Sequence, residues 1–416
     1  MPGPHRQLRL PDVRETLGDR CFSPESPRQV GVELEWLTVA RHDQAARVAP
    51  ESLARAVAAT GPLPGRGTVT FEPGGQLEVS APPHTRIAEA CSAAAIDVAR
   101  ARTAASGLDV DLVGLGADPV RPPRRVVDTP RYAAMEAYFD ADGPAGRRMM
   151  ANTAAVQVNI GVGPTTDDAA RQWRLAHRLG PTLAAAFANS PLLEGRPTGF
   201  RSARLATWLA LDRSRAAPVG WHRPGPEAWA DYVLGARVML IRPTPERFVA
   251  LRSPLAFGQW VVEGHELGWP THDDLDYHLT TLFPPVRPRG WLELRMLDAL
   301  PDPWWQVAVA VTAALLDDPE AGDAAHLAVS ANGAGRRWVD AARTGLATPA
   351  IAASARSCFD AALTALERSG AGAALTSLVA AYAERWVDRG RCPADDVLDA
   401  WERHGALFPE PVEVVA

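Results

Sequence analysis

Four short segments of this chain alternate polar and apolar residues with a period of two, and no other feature constrains the fold as tightly. They are Val30-Gly31-Val32-Glu33-Leu34-Glu35-Trp36, Gln76-Leu77-Glu78-Val79-Ser80, Val156-Gln157-Val158-Asn159-Ile160 and Leu292-Glu293-Leu294-Arg295-Met296. Successive side chains of a strand point to opposite faces, so each segment reads as a strand with one apolar and one polar side. An antiparallel sheet with one wet face has this pattern too. Glutamate is a poor strand former, however. Here the polar side collects Glu33, Glu35, Glu78 and Glu293, with Glu72 just before a Pro73-Gly74-Gly75 turn. Clustered carboxylates repel unless they share protons or bind cations. Oxygen ligands with few histidines suit Mg2+, or Mn2+, better than zinc. The residues alone point to a nucleotide–metal site on a sheet, with simple solvation of that face as the rival reading.

The rest of the chain reads as α+β. Strands are expected at Val30–Ala40, Val110–Leu115, Ala155–Val162 and Trp291–Leu297, and a hairpin at Thr68–Ser80. Helices are expected at Ser52–Thr60, at Arg86–Ser106 with Thr85 as cap, from Tyr132 to Phe139, and from a Thr166 cap to about Ala188. Residues 189–230 read as an irregular Trp/Pro/Arg-rich functional loop region, and 319–348 as the best candidate for a loose connection. After Pro303 amphipathic segments are expected near 303–317, 349–368, 372–388 and 394–404. We read 1–416 as a single catalytic domain, with an N-terminal arm (1–27), a sheet core (28–317) and a helical C-terminal region (318–416).

Composition removes several function classes. The formal net charge of −6 argues against a nucleic-acid partner. Lysine is absent, so all 43 basic residues are arginine. A P-loop and a Schiff-base site both need a lysine and are excluded. Phosphate contacts must come from arginine, backbone N–H groups or metal. Arginine grips carboxylate and phosphate with paired hydrogen bonds, and Arg204, Arg215, Arg287, Arg289 and Arg295 are the candidates. The cysteines, Cys21, Cys91, Cys358 and Cys392, form no zinc or CxxC spacing and read as reduced thiols of a cytoplasmic protein. The longest apolar run, Val307–Leu316, is shorter than the ~20 residues of a membrane span. His278 and Trp304-Trp305 read as core.

The same segments resemble the glutamate–cysteine ligase family in its plant and bacterial branch. Gly31-Val32-Glu33-Leu34-Glu35 is similar to its GxExE strand, and Glu72-Pro73-Gly74-Gly75-Gln76-Leu77-Glu78 to its EPGGQxE signature. Arg131-Tyr132 with Met135 and Tyr138 resembles its RYxxMxxY stretch, and Thr153 to Asn159 its TaxxQVN strand. Phe187-Ala188-Asn189-Ser190-Pro191, Ser202, Arg204, Trp208, Asp212 and Arg215 follow next, and then His278 to Pro284, Arg287, Glu293, Arg295 and Asp298. The resemblance implies a glutamine synthetase-like fold, a curved, mostly antiparallel sheet forming a funnel with helices on its outer face. It implies ligation of L-glutamate to L-cysteine with ATP, through a γ-glutamyl phosphate. It assigns Glu33, Glu35, Glu72, Glu78 and Glu293 to Mg2+. It assigns Arg204, Trp208 and Thr153 to substrate, and Gln157, Asn159, Arg287, Arg289 and Arg295 to ATP, with Arg204 and Arg295 as catalytic groups. Composition and length look most like the actinobacterial members, which serve ergothioneine synthesis. The cysteines do not match the redox disulfide of the plant enzymes. A different amine acceptor, or a non-catalytic nucleotide-binding homologue, stays open, as does the choice between monomer and homodimer.

Overall fold

The computed structural model describes residues 7–25, 27–244 and 246–408. Its strands are β1 (Val30–Ala40), β2 (Thr68–Phe71), β3 (Leu77–His84), β4 (Val110–Val113), β5 (Ala155–Gly161), β6 (Leu192–Leu193), β7 (Arg196–Pro197), β8 (Leu240–Thr244), β9 (Arg247–Ala250), β10 (Val286–Pro288) and β11 (Trp291–Asp298). Six of them run side by side in the order β10-β11-β5-β1-β3-β2, and β4 pairs with the far end of β1. All these pairings are antiparallel and the sheet is open. β6–β7 and β8–β9 are separate two-stranded hairpins.

The alternation holds in space. Val32, Leu34, Leu77, Val79, Val158 and Leu294 are all buried and share one core with the helices Ile87–Ser106, Thr166–Ala186 and Trp305–Asp317. Helix Trp305–Asp317 is buried on nearly every side, Trp305 included, which is why its sequence is apolar all round. Trp304 and His278 are buried as well. The Nε2 of His278 lies 3.1 Å from the Val233 carbonyl, and burial pushes its pKa down to about 3. The four thiols are free and buried. Among the described residues no helix is long and apolar enough to cross a membrane.

Four expectations are corrected. Residues 319–348 are not a loose connection. Asp318 caps a helix at Pro319–Ala331, a second runs Trp338–Thr344, and Ala321, Ala325, Val329, Trp338 and Ala341 are buried. The small side chains that looked like linker composition let these helices pack closely. Residues 189–230 are not wholly irregular, for Ser202 caps a helix at Ala203–Leu209, Asp212 caps another at Arg213–Ala216, and a third spans Gly225–Gly235. Thr165, not Thr166, accepts from the Asp168 amide at the head of its helix, and Arg86 precedes helix Ile87–Ser106 without a side-chain cap. At the N-terminus, helix Leu10–Phe22 buries Val13, Leu17, Cys21 and Phe22, the last edge-on to Trp173.

Candidate active site

Register brings the glutamates together. Glu35 of β1 pairs with Glu78 of β3, and Glu33 pairs with Gln157 of β5 on its other side. Asn159 lies opposite both Gly31 and Glu293, and Arg287 of β10 lies opposite Glu293. Glu72 arrives from the β2–β3 turn, closed by Gly75 N–H to the Glu72 carbonyl (2.8 Å) and Glu72 N–H to the Gln76 carbonyl (2.9 Å). Gly75 there has φ of +88°, and a Cβ on Gly74 would stand 2.0 Å from the Ala151 carbonyl oxygen. Only glycines let this turn close against the neighbouring helix end.

These side chains line a cavity of about 220 Å3. Its wall holds Glu33, Glu35, Glu72, Glu78 and Glu293 together with Thr153, Gln157, Trp208, Arg287, Arg289 and Arg295. A second cavity of about 550 Å3 adjoins it through four shared residues, Arg131, Thr280, Arg287 and Arg289, and reaches Arg20, Asp276 and Trp229. That volume falls within the ~300–1,000 Å3 usual for a ligand pocket.

The carboxylates divide into two groups. Glu35, Glu72 and Glu78 each offer an oxygen, all within 4.8 Å of one another. Burial, then the charge of Glu78, lifts the Glu72 pKa to about 7. Burial, then Glu72 and Glu78, raises that of Glu35 well above the usual range, and burial and Glu293 raise that of Glu33. Thr70 and Ser80 hydroxyls both donate to Glu78 Oε1, at 2.9 and 3.0 Å. Glu293 behaves oppositely. It is 1% exposed, and its burial resists ionisation, yet Arg287 and Arg295 hold its pKa down to about 2. Arg287 grips it with Nε and Nη2 at 2.5 and 2.9 Å. Gln157 links the two groups, accepting from Arg295 Nη1 at 2.5 Å and donating to Glu35 Oε1 at 2.8 Å. The three-carboxylate cluster fits a hard divalent cation, because the protons it otherwise shares are what a cation would replace.

Two expected site residues stand off the cavity wall. Asn159 donates to Glu33 (2.9 Å) and accepts from Trp291 Nε1 (3.1 Å). Arg204 is buried one layer back, its Nη2 donating to the Arg295 carbonyl at 2.8 Å. Its guanidinium lies 5.6 Å from the Trp208 ring centre, with that of Arg295 at 5.7 Å. Arg204 Nε, Arg295 Nε and Trp208 Nε1 are buried donors without a hydrogen-bond partner among the described residues. Arg215 is a structural tie, joining Asp212, the Thr281 and Arg237 carbonyls and the Tyr138 hydroxyl. Sequence reasoning assigned no role to other wall residues: Arg131, Tyr132, Met135, Met149, Met150, Thr280 and Phe283. Arg131, Tyr132, Met135, Thr280 and Phe283 lay inside recognisable motifs. The paired methionines carried no signal beyond an apolar helix end.

Comparisons with known proteins agree with this geometry. Glutamate–cysteine ligase EgtA of Mycobacterium tuberculosis is 41% identical over 397 residues, covering 92% of this chain and 89% of that protein. Its namesake from Mycolicibacterium smegmatis is 42% identical over 379 residues, covering 89% and 86%. A solved glutamate–cysteine ligase from Francisella tularensis, in complex with AMP, superposes with a TM-score of 0.51 over 93% of this chain and 87% of that one. At 11% identity that likeness speaks for the fold alone. The family model for glutamate–cysteine ligase family 2 matches residues 29–413, and the chain belongs to that family.

Proposed function

We propose that this protein joins the γ-carboxylate of L-glutamate to the amine of L-cysteine at the expense of ATP, giving γ-glutamylcysteine, ADP and phosphate. One observation carries the reading: a carboxylate-lined cavity and an arginine-lined cavity share a wall of Arg131, Thr280, Arg287 and Arg289. Phosphoryl transfer from ATP to a carboxylate needs both characters side by side, cation ligands for the phosphates and fixed positive charge where the phosphoryl group moves.

In this reading the larger cavity takes the nucleotide, with Arg287 and Arg289 on its wall, Arg295 and Gln157 meeting its phosphates from the adjoining smaller cavity, and Asn159 acting from behind through Glu33. Glu293, already paired with Arg287 and Arg295, holds those arginines in place, while Glu35, Glu72 and Glu78 are the cation-binding carboxylates with Glu33 beside them. Bound there, Mg2+ or Mn2+ would neutralise phosphate charge. Glutamate lies at the Thr153–Trp208 end, where the buried Nε1 of Trp208 and Nε of Arg295 lack partners among the described residues and suit a carboxylate. The γ-carboxylate oxygen attacks the γ-phosphorus of ATP and ADP leaves. The cysteine amine then attacks the acyl carbon of the γ-glutamyl phosphate, and phosphate leaves with the bonding pair and takes up the proton the amine loses. No protein nucleophile is required: Cys91, Cys358 and Cys392 line neither cavity, and Cys21 lines the larger one with its thiol pKa pushed up to about 11 by burial. The likeness to the mycobacterial proteins supports a cytoplasmic role in making the γ-glutamylcysteine used for ergothioneine.

The test is an ADP-release assay with purified protein, Mg-ATP and glutamate, run with and without cysteine, and the product identified by mass. Cysteine-dependent ADP formation is expected. Turnover only with another amine would replace the acceptor and keep the ligase, whereas no turnover with any amine overturns the reading.

A further inference from the structure

Five residues from the motif-bearing segments, Asn189, Ser190, Ser202, Arg204 and Asp298, converge on one point behind the substrate cavity. The centre is the carboxylate of Asp298, 1% exposed. Its Oδ2 accepts from the Asn189 backbone N–H at 2.8 Å and from the Ser190 hydroxyl at 2.6 Å. Its Oδ1 accepts from the Ser202 hydroxyl at 2.8 Å and lies 3.9 Å from Arg204 Nη1. Each of the two hydroxyls has a second duty at the head of helix Ala203–Leu209. Ser190 Oγ accepts from the Arg204 amide at 3.1 Å, and Ser202 Oγ from the Leu205 amide at 3.0 Å. That helix carries both Arg204 and Trp208.

A strand irregularity puts Asp298 there. Between Leu294, opposite Val158, and Leu297, opposite Val156, β11 carries one residue more than β5. Strict alternation from Glu293 would send Leu297 to the polar face and Asp298 into the apolar core. The bulge reverses them, so that Asp298 pairs with Ala155 in the polar-face row. The fold makes room on the other side, since a Cβ on Gly116 would stand 2.4 Å from the Asp298 carboxyl carbon.

Two guanidiniums, Arg204 and Arg295, crowd one tryptophan ring. Arg295 has Glu293 as counter-charge at 3.2 Å. Arg204 has Asp298. We infer that Asp298 is a positioning residue of the ligase, whose buried charge holds Arg204 against the Arg295 carbonyl and Trp208 and so shapes the end of the cavity that receives glutamate. The inference rests on the assignment of that end to glutamate made above.

Steady-state kinetics of the full chain test it, with KM for glutamate, cysteine and ATP measured separately and thermal unfolding followed alongside. Asp298→Asn keeps the shape but removes the charge and turns an N–H2 toward one of three donors. It is expected to raise the glutamate KM about tenfold, the size of one charged hydrogen bond, with the ATP KM unchanged. Ser190→Ala removes the hydroxyl's bond to Asp298 and the acceptor of the Arg204 amide but keeps the charge, and a smaller shift confined to glutamate is expected. A folded Asp298→Asn protein with the wild-type glutamate KM overturns the inference. So does a parallel rise in all three KM values, which a general loosening would produce. If Asp298→Asn does not fold, Ser190→Ala decides, and a lowered Tm with unchanged glutamate KM overturns it. Wild-type protein without glutamate-dependent turnover overturns the ligase reading and this inference together, whereas active wild type with indifferent variants overturns this inference alone.

Discussion

Glu72 and Glu293 line the same small cavity, and the protein treats them in opposite ways. Glu72 sits with Glu35 and Glu78 on the β1–β3 side, where burial and like charge lift its pKa to about 7. Glu293 sits on the β10–β11 side, where burial resists its charge but Arg287 and Arg295 overcome that and hold its pKa near 2. One side is electrically incomplete and, in the proposed reading, would take a cation or protons from outside. The other carries its counter-charge within the fold. The difference separates a binding element from a scaffold element, though both are glutamates on the same face of one sheet.

The largest expected effect comes from altering the incomplete side. Glu78→Gln should lower turnover about 100-fold, the scale of losing one preorganised charge at a phosphoryl-transfer site. It also removes the charge that most raises Glu72 after burial. The metal-free variant should therefore melt higher than wild type at pH 8, while its Mg2+ requirement for turnover increases. Assays across a Mg2+ series, with scanning calorimetry in EDTA, check both halves. Unchanged kinetics would remove Glu78 from the cation site, and a lower metal-free Tm would mean that the trio is not held under repulsion.

The completed side should fail in stability before it fails in chemistry. Arg287→Ala leaves Glu293 buried with its principal partner gone, at a cost of about 3 kcal/mol in urea unfolding. The double change Arg287→Met with Glu293→Leu should recover most of that loss, because the cost lies in the unpaired charge. A single variant as stable as wild type would show that Arg295 and Arg289 suffice to hold Glu293.

The sequence carried one half of this contrast better than the other. The strands were legible because a period of two survives in Val32, Leu34, Leu77, Val79 and Val158, and because EPGGQ demands a tight turn whose Gly75 needs a positive φ. Glu33, Glu35, Glu78 and Glu293 could therefore be placed on one face, with Glu72 just before the turn. What alternation cannot encode is charge pairing. Nothing in the pattern separates Glu293, opposite an arginine, from Glu35, opposite another glutamate, since that depends on which strands become neighbours. The bulge after Leu294 was hidden for the same reason, so Asp298 read as a motif residue without a place. Arg204 read as a direct ligand and stands one layer back. The helical stretch 319–331 was missed because alanine and glycine serve close helix packing as readily as a linker.

A smaller effect separates Arg204 from the wall residues. Arg204→Lys substitutes a point charge for the fork that holds the Arg295 carbonyl. It should raise the glutamate KM several-fold, up to about tenfold, with little change in the ATP KM. Initial rates at varied glutamate give the answer, and a normal KM would move the glutamate end of the cavity elsewhere.

The smallest effect is also the most direct reading of the contrast. Glu72 keeps its proton to about pH 7 when folded, but only to about 4.3 in an unfolded chain. Between those values the folded state binds more protons, so this group makes stability fall as pH rises. Glu293, depressed to about 2, contributes a stability that is complete above the ordinary carboxylate range and lost only in acid, so it adds no slope in that window. A divalent cation competes with the protons that Glu72 and Glu35 retain and not with Glu293, which has none to give up in this window. The rise in Tm on adding Mg2+ should therefore be larger at pH 8 than at pH 5.5, by a few degrees, and Glu72→Gln should flatten the difference. Equal Mg2+ shifts at the two pH values would mean that the cation does not replace protons on the trio, and Glu72 would then belong with Glu293 as scaffold.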